Sequence, residues 1–376
     1  MTETKTKSPV LTKKKKAVIS VIAVIIAIVL AAVIFVVAVL RPTAPDDEKA
    51  VAVGGLIVSD SVDYQQEESG ISSNPVIKIM QVVWKFCSQS DAKVHEAQTP
   101  PENIEKVTDI PYINDGNIYH MLDVYYPEGT TDKLPVIIDI HGGGWMYGNK
   151  ELNEYYCLSL ADRGYVVFNI NYRLVPDVTV NEQLQDVAQA LKWISENMQS
   201  YPCDTENIML TGDSAGGQLA IYSATLLQSA ELREIFDVVD ADITPTALLL
   251  TSPVAYMNDG SAFSLYTKIL WGRDYKDKPT YEYMNLDQII DFAQLPPTYL
   301  ITSSGDTLAH SQTLKTAELL KSKGVECELA DYGEVNGKKL VHVFSVLEPF
   351  DEAGTTAIDS AIKFYEKVMD EKATAK

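Results

Sequence analysis

The sequence predicts an α/β fold in which a mainly parallel sheet is covered by helices on both faces. Two observations carry that expectation. Short apolar runs at 135–140 and 165–170 have almost no polar interruption, as strands buried on both faces require. They alternate with longer segments whose apolar residues recur at helical spacing, so strand and helix succeed each other along the chain. A chain of 376 residues that is 46% hydrophobic can bury a core of that size.

In chain order, 75–90 has apolar residues at helical spacing (Ile77, Ile79, Met80, Val83, Trp84) and reads as a helix. Early strands follow at 110–113 and 119–126, then the buried strand at 135–140. A helix at 151–163 precedes the strand at 165–170. The segment 181–197 is amphipathic, with Leu184, Val187, Ala188, Leu191 and Trp193 on its core face. A strand at 208–210 leads into a helix at 215–229. Later strands are expected at 247–250, 298–302 and 327–332, a further helix begins near His310, and a helix at 355–369 closes the chain. The interval 253–296 breaks the rhythm and is rich in aromatics, among them Tyr256, Phe263, Tyr266, Trp271, Tyr275, Tyr281 and Tyr283. It reads as a lid insertion or pocket wall, in company with the helix near Trp84. An ordinary solvent-facing insertion with its own small core is the alternative.

The first 74 residues have a different character. Residues 17–40 contain no charge and a single polar residue, Ser20. As a helix rising ~1.5 Å per residue they would extend ~36 Å, enough for a hydrocarbon core of ~30 Å. A cleaved secretory signal has a shorter apolar region and a small-residue cut site, whereas here Pro45 follows Thr43-Ala44. An uncut transmembrane signal anchor is therefore expected at 17–40, between a basic tail at 1–16 and a Pro-, Gly- and acid-rich spacer at 41–74. Lys13–Lys16 on one flank, and Asp46, Asp47 and Glu48 on the other, put the N-terminus in the cytoplasm. The folded domain at 75–376 would then lie outside a single-pass cell-membrane protein.

Charge divides the chain the same way. Residues 1–41 carry a net +6 against −21 for the whole chain, which leaves −27 on the remainder. So acidic a body repels polyanions and argues against nucleic acid as a partner. Cys87, Cys157, Cys203 and Cys327 form no Cys-x-x-Cys pair, which argues against zinc. Disulfides and free thiols both remain open for them, and the oligomeric state is not indicated.

Two glycine-framed motifs 70 residues apart carry the chemistry. Gly212-Asp213-Ser214-Ala215-Gly216-Gly217 centres a serine in Gly-x-Ser-x-Gly, the sharp strand-to-helix turn of a nucleophile elbow. The small residues Gly212, Ala215 and Gly216 suit the crowding of such a turn. His141-Gly142-Gly143-Gly144-Trp145 supplies backbone N–H groups without Cβ atoms around them, as an oxyanion hole needs. Gly143, Gly144 and Ala215 are the expected donors. His141 reads as a prop for the glycine loop, and Asp213 as a scaffold residue bonded to nearby backbone. A serine hydroxyl needs a base and the base an orienting acid, in the chain order nucleophile, acid, base. Only His310 and His342 follow Ser214 among the five histidines. His310 opens a helix four residues after Asp306, whereas His342 sits in a late loop and is the better base. Asp306 ends the strand before it and is preferred as the acid over Asp331 and Glu334.

With these motifs the chain resembles the hormone-sensitive-lipase-like (bacterial) carboxylesterases, a family of α/β hydrolases. The resemblance runs from about residue 75 to the C-terminus. It also includes Leu122-Asp123-Val124-Tyr125-Tyr126-Pro127, Asn171-Tyr172-Arg173-Leu174-Val175-Pro176, Gly305-Asp306 and His342-Val343-Phe344. It implies the α/β-hydrolase fold, Ser214, Asp306 and His342 as the triad, and hydrolysis of short to medium acyl esters without a cofactor or metal. Two features depart from the pattern: Asn171 stands where Asp is common, and a membrane anchor is atypical. The expected partner is a small-molecule ester. Rival readings are a deacetylase of surface glycans, a peptidase, or a binding protein that uses an inert hydrolase fold.

Overall fold

The computed structural model describes residues 75–258, 260 and 266–375. Their centre is an eight-stranded sheet built from β1 (Ile104–Pro111), β2 (Met121–Pro127), β3 (Leu134–Ile140), β4 (Val166–Ile170), β5 (Cys203–Asp213), β6 (Ala247–Thr251), β7 (Thr298–Ser303) and β8 (Cys327–Tyr332). The helices, in chain order, are α1 (Pro75–Glu96), α2 (Glu154–Asp162), α3 (Val180–Asn197), α4 (Ser214–Leu226), α5 (Ala230–Phe236), α6 (Thr267–Leu270), α7 (Leu286–Ile289), α8 (His310–Ser322), α9 (Phe344–Leu347) and α10 (Glu352–Thr374). The strand order is β1-β2-β4-β3-β5-β6-β7-β8. β1 and β2 run antiparallel to their neighbours, and β4 through β8 form a parallel block.

Alternation along each buried strand divides the core in two. In β3, Val136, Ile138 and Ile140 face one cluster and Ile137 the other. In β6, Leu248 and Leu250 separate from Ala247 and Leu249 in the same way. The first cluster takes Leu184, Val187 and Leu191 of α3 and Leu219 of α4, while the second takes Leu158 of α2 and Ile358 and Tyr365 of α10. A side-chain period of two against helices on both faces leaves a continuous apolar run as the only workable sequence for these strands. α3 begins in a capping box, in which the Thr179 N–H donates to Glu182 Oε2 at 2.7 Å.

Most predicted elements coincide with observed ones to within a few residues, and two differ for physical reasons. β1 starts at Ile104, well before the expected strand at 110–113, because a bulge between Val107 and Ile110 breaks its alternation. Asp109 takes φ 57° there and donates its N–H to Asp123 Oδ1 at 2.8 Å. The expected helix at 151–163 is a 3₁₀ turn, Lys150–Asn153, followed by α2. The four cysteines are free thiols.

The N-terminal transmembrane helix expected as part of the fold is corrected. No helix among the described residues is long and apolar enough to cross a membrane. The two longest, α1 and α10, are amphipathic and carry Lys, Asp or Glu along their length. Residues 17–40, with the basic tail and the spacer, lie outside the described residues.

Ile138, fully buried in β3, gives the fold a direct test. Ile138→Ala is expected to lower unfolding stability by about 2–5 kcal/mol in urea titration, the range for opening a cavity in a packed core.

Candidate active site

β3 and β5 lie side by side in parallel register, with Ile140 opposite Gly212. Their C-terminal ends therefore release the two glycine motifs at the same edge of the sheet. After β5 the chain turns straight into α4, and Ser214 sits at the turn with φ 50°, a left-handed conformation that a side-chain-bearing residue takes only when held there. The turn closes through contacts that admit no Cβ. One on Gly212 would fall 2.5 Å from the Gly216 carbonyl oxygen, and one on Gly216 would run into the Ile140 and His141 carbonyls. The small residues of the motif are thus a steric requirement.

The glycine loop takes left-handed values at Gly143 (φ 114°), Gly144 (φ 57°) and Trp145 (φ 63°). A Cβ on Gly143 would enter the Tyr147 carbonyl, and one on Gly144 the Trp84 ring. The loop is tied to the elbow by the Gly142 N–H, which donates to Asp213 Oδ1 at 2.8 Å. Asn153 Nδ2 donates to the same oxygen and to Asp139 Oδ2, each at 2.9 Å. Burial pushes both carboxyls above the ordinary carboxylate range, and the Asp213 charge adds to the effect on Asp139. His141 is buried and stacks on Tyr172 with ring centroids 4.3 Å apart, while its Nδ1 lies 2.7 Å from the Gly142 carbonyl. Burial lowers its pKa to about 4, so it is a neutral prop.

Asp306 and His342 meet from the loops after β7 and β8. His342 Nδ1 lies 2.9 Å from Asp306 Oδ2, and the Asp306 side chain is completely shielded from solvent. Its Oδ1 accepts the backbone N–H groups of Leu308 and Ala309, each at 2.9 Å. Burial alone would raise this carboxyl, but the His342 partner, those N–H donors and Ser252 outweigh it and hold the pKa at about 2. The folded-state pKa is depressed, so the linked stability is full above the ordinary value of about 4 and is lost as pH falls through about 2. The two loops approach closely because Gly305 has no Cβ to meet the Leu340 carbonyl, which also accepts from Ser303 Oγ at 2.9 Å.

Ser214 and His342 line one cavity of about 450 Å³, together with Gly143, Gly144 and Asp213. Its wall is mostly apolar. α1 contributes Trp84, and the 253–296 interval contributes Val254, Tyr266 and Leu270. Trp84 stacks on Tyr147 with ring centroids 5.7 Å apart, which seats α1 on the glycine loop. A wider, open groove of about 690 Å³ lies at the other edge of the sheet, beside Thr246 and Lys372, and contains neither Ser214 nor His342.

The BD-FAE family matches residues 122–265. Carboxylesterase NlhH of Mycobacterium tuberculosis is 28% identical over 254 residues, spanning 64% of this chain and 78% of that protein. The versiconal hemiacetal acetate esterase of Dothistroma septosporum is 28% identical over 219 residues, 54% of this chain and 65% of its own. Among solved structures, esterase B from Lactobacillus rhamnosis matches with a TM-score of 0.76 at 29% identity, over 81% of this chain and 98% of that one. These likenesses support a hormone-sensitive-lipase-like carboxylesterase of the α/β-hydrolase type. With carboxylesterase relatives and esterase structures agreeing, the chain is a carboxylic ester hydrolase.

Asn171, the departure from the family pattern, has a clear place in this esterase. Its Oδ1 accepts the Lys150 N–H at 2.5 Å and its Nδ2 donates to the Ile118 carbonyl at 3.1 Å. A carboxylate could make only the first of these bonds. The following Arg173 forks onto Asp186 at 2.8 and 2.6 Å, pinning the segment to α3. Sequence reasoning did not find Asn153 and Asp91 of the cavity wall, or the buried Asp139 behind Asn153. Asn153 and Asp139 carry no local signal, since their partners are distant in the chain. Asp91 continues the Trp84 and Cys87 face of α1, but the helix was expected to stop at residue 90.

Gly305→Val tests the loop contact. It is expected to lower kcat/KM by about 100-fold or more, the effect of displacing a reacting group by roughly 1 Å. Urea unfolding measured in parallel should show a much smaller proportional change.

Proposed function

We propose that this carboxylesterase hydrolyses short- to medium-chain esters through an acyl-enzyme formed on Ser214. The observation that carries the proposal is the His342–Asp306 pair, 2.9 Å apart, whose His342 lines the same cavity as Ser214. Ser214 Oγ attacks the ester carbonyl while His342 Nε2 takes its proton. Asp306, acceptor-only at any working pH, receives the Nδ1–H, which fixes the imidazole tautomer and stabilises the imidazolium. The proton then passes to the departing alkoxide. The Gly143, Gly144 and Ala215 N–H groups face the oxyanion, each worth roughly 3–4 kcal/mol in comparable sites. Water repeats the sequence against the acyl-enzyme and releases the acid and free Ser214.

Two further points support short to medium acyl chains. A mostly apolar cavity of about 450 Å³ lies within the ordinary range for small ligands and must hold both halves of the ester. Esterase B from Lactobacillus rhamnosis, similar over most of its length, has been solved inhibited by a tributyrin phosphonate.

The test is a series of p-nitrophenyl esters from acetyl upward. Activity is expected to be greatest at the short end and to fall as the chain outgrows the cavity. Ser214→Ala should lower kcat by about ten-thousandfold or more, and Asp306→Asn by about ten-thousandfold. Ser214→Ala turnover near wild type would overturn the mechanism. A maximum at long chains would overturn the substrate range.

A further inference from the structure

The cavity wall contains one carboxylate that the hydrolytic steps above do not use. Trp84, Cys87 and Asp91 follow each other at helical spacing along one face of α1, and all three line the cavity that holds Ser214. Asp91 Oδ2 accepts the Tyr147 hydroxyl at 3.1 Å, and no other hydrogen bond reaches this carboxylate among the described residues. Tyr147 belongs to the oxyanion loop and is itself stacked on Trp84. Asp91 is thus tied to the glycine loop within the cavity that Ser214 lines. Asp213 also lines the cavity, but one of its oxygens is committed to Gly142 and Asn153. Among the carboxylates of this wall, Asp91 has the larger unused acceptor capacity.

That placement has a cost. Burial against an apolar wall pushes the Asp91 carboxyl up to about 6, with the Asp213 charge adding and the Tyr147 bond opposing. If α1 needed only an anchor on the oxyanion loop, the Trp84–Tyr147 stack would serve without a charge in the substrate cavity. A carboxylate with an unfilled acceptor, fixed beside a nucleophile, is instead suited to grip a polar end of the molecule being cleaved.

We propose that Asp91 is a specificity-determining residue that accepts a hydrogen bond from a donor on the ester substrate, a hydroxyl or a protonated amine. This rests on the esterase reading of the cavity. The preferred substrates are then esters whose acyl or alcohol chain ends in such a donor, set in an otherwise apolar frame. Plain hydrocarbon esters of equal size are turned over less efficiently, because they bury Asp91 and leave its acceptor unfilled.

The experiment compares kcat/KM for dimethylaminoethyl butyrate against 3-methylbutyl butyrate, and for hydroxyethyl butyrate against propyl butyrate. A mirrored set carries the donor on the acyl side of methyl esters. The wild-type enzyme is expected to favour a donor-bearing ester over its hydrocarbon counterpart by about tenfold, chiefly through KM, the scale of one hydrogen bond to a charged group. Preference for the amine alone identifies a cation, and preference for the hydroxyl as well identifies a neutral donor. Either supports the assignment. Asp91→Leu should abolish the preference, and Asp91→Glu, which retains the carboxylate, should keep part of it. Equal rates within every pair in the wild-type enzyme, or an undiminished preference in Asp91→Leu, would overturn it. Dissociation constants for the same pairs on the Ser214→Ala protein read the subsite without turnover. Failure of the ester reading therefore shows as absent hydrolysis of p-nitrophenyl butyrate, and failure of the Asp91 assignment as equal binding within the pairs.

Discussion

The hydrogen bond from the Gly142 N–H to Asp213 Oδ1 joins the two halves of the site, and most of the surrounding architecture can be traced to the closeness it needs. It is possible only because β3 and β5 are neighbours in parallel register, which brings Ile140 opposite Gly212. It also demands that Gly216 lie against the carbonyls at the end of β3, where no side chain fits. Ser214 then has nowhere to go except the left-handed region. The backbone strain at the serine is the consequence of packing an oxyanion loop against an elbow.

A polar layer beneath that contact keeps it in place. Asn153 bridges Asp139 and Asp213, His141 stands neutral on Tyr172, and the Tyr172 hydroxyl donates to the His141 carbonyl at 2.7 Å. Each of these groups is buried, so each unmade bond would carry a desolvation penalty of about 1–3 kcal/mol. The same logic operates at the His342–Asp306 pair. Asp306 stays ionised in a shielded position because His342 and two backbone N–H groups compensate its charge. One site thus holds two kinds of carboxylate: Asp306, whose acceptors are satisfied and whose pKa is depressed, and Asp91, with a single hydrogen-bond partner among the described residues and a raised pKa.

Much of this was legible in the sequence for reasons that lie in local chemistry. Ser214 was readable because the elbow tolerates only small neighbours. His342 and Asp306 were readable because the chain order of an α/β hydrolase leaves few candidates, and the structure brings these two together while His310 pairs instead with Asp331, at 3.0 Å. The buried strands announced themselves as apolar runs. The rest depends on contacts between distant residues. β1 was misplaced because its bulge at Asp109 hides the alternation. Asn153 meets Asp139 and Asp213 only after the sheet assembles. Asp91 escaped notice because it lies one residue beyond the end expected for α1, at residue 90. The expected membrane-spanning helix is the main correction, since no described helix has that character.

The central claim is that Ser214 is the nucleophile, activated by the His342–Asp306 pair. Incubation of the folded protein with a fluorophosphonate, followed by peptide mass spectrometry, tests it most directly. The account predicts a stoichiometric adduct on the peptide containing Ser214, formed much more slowly when His342 is replaced by Asn. An adduct on another residue, no adduct in the folded protein, or equal labelling without His342 would contradict it.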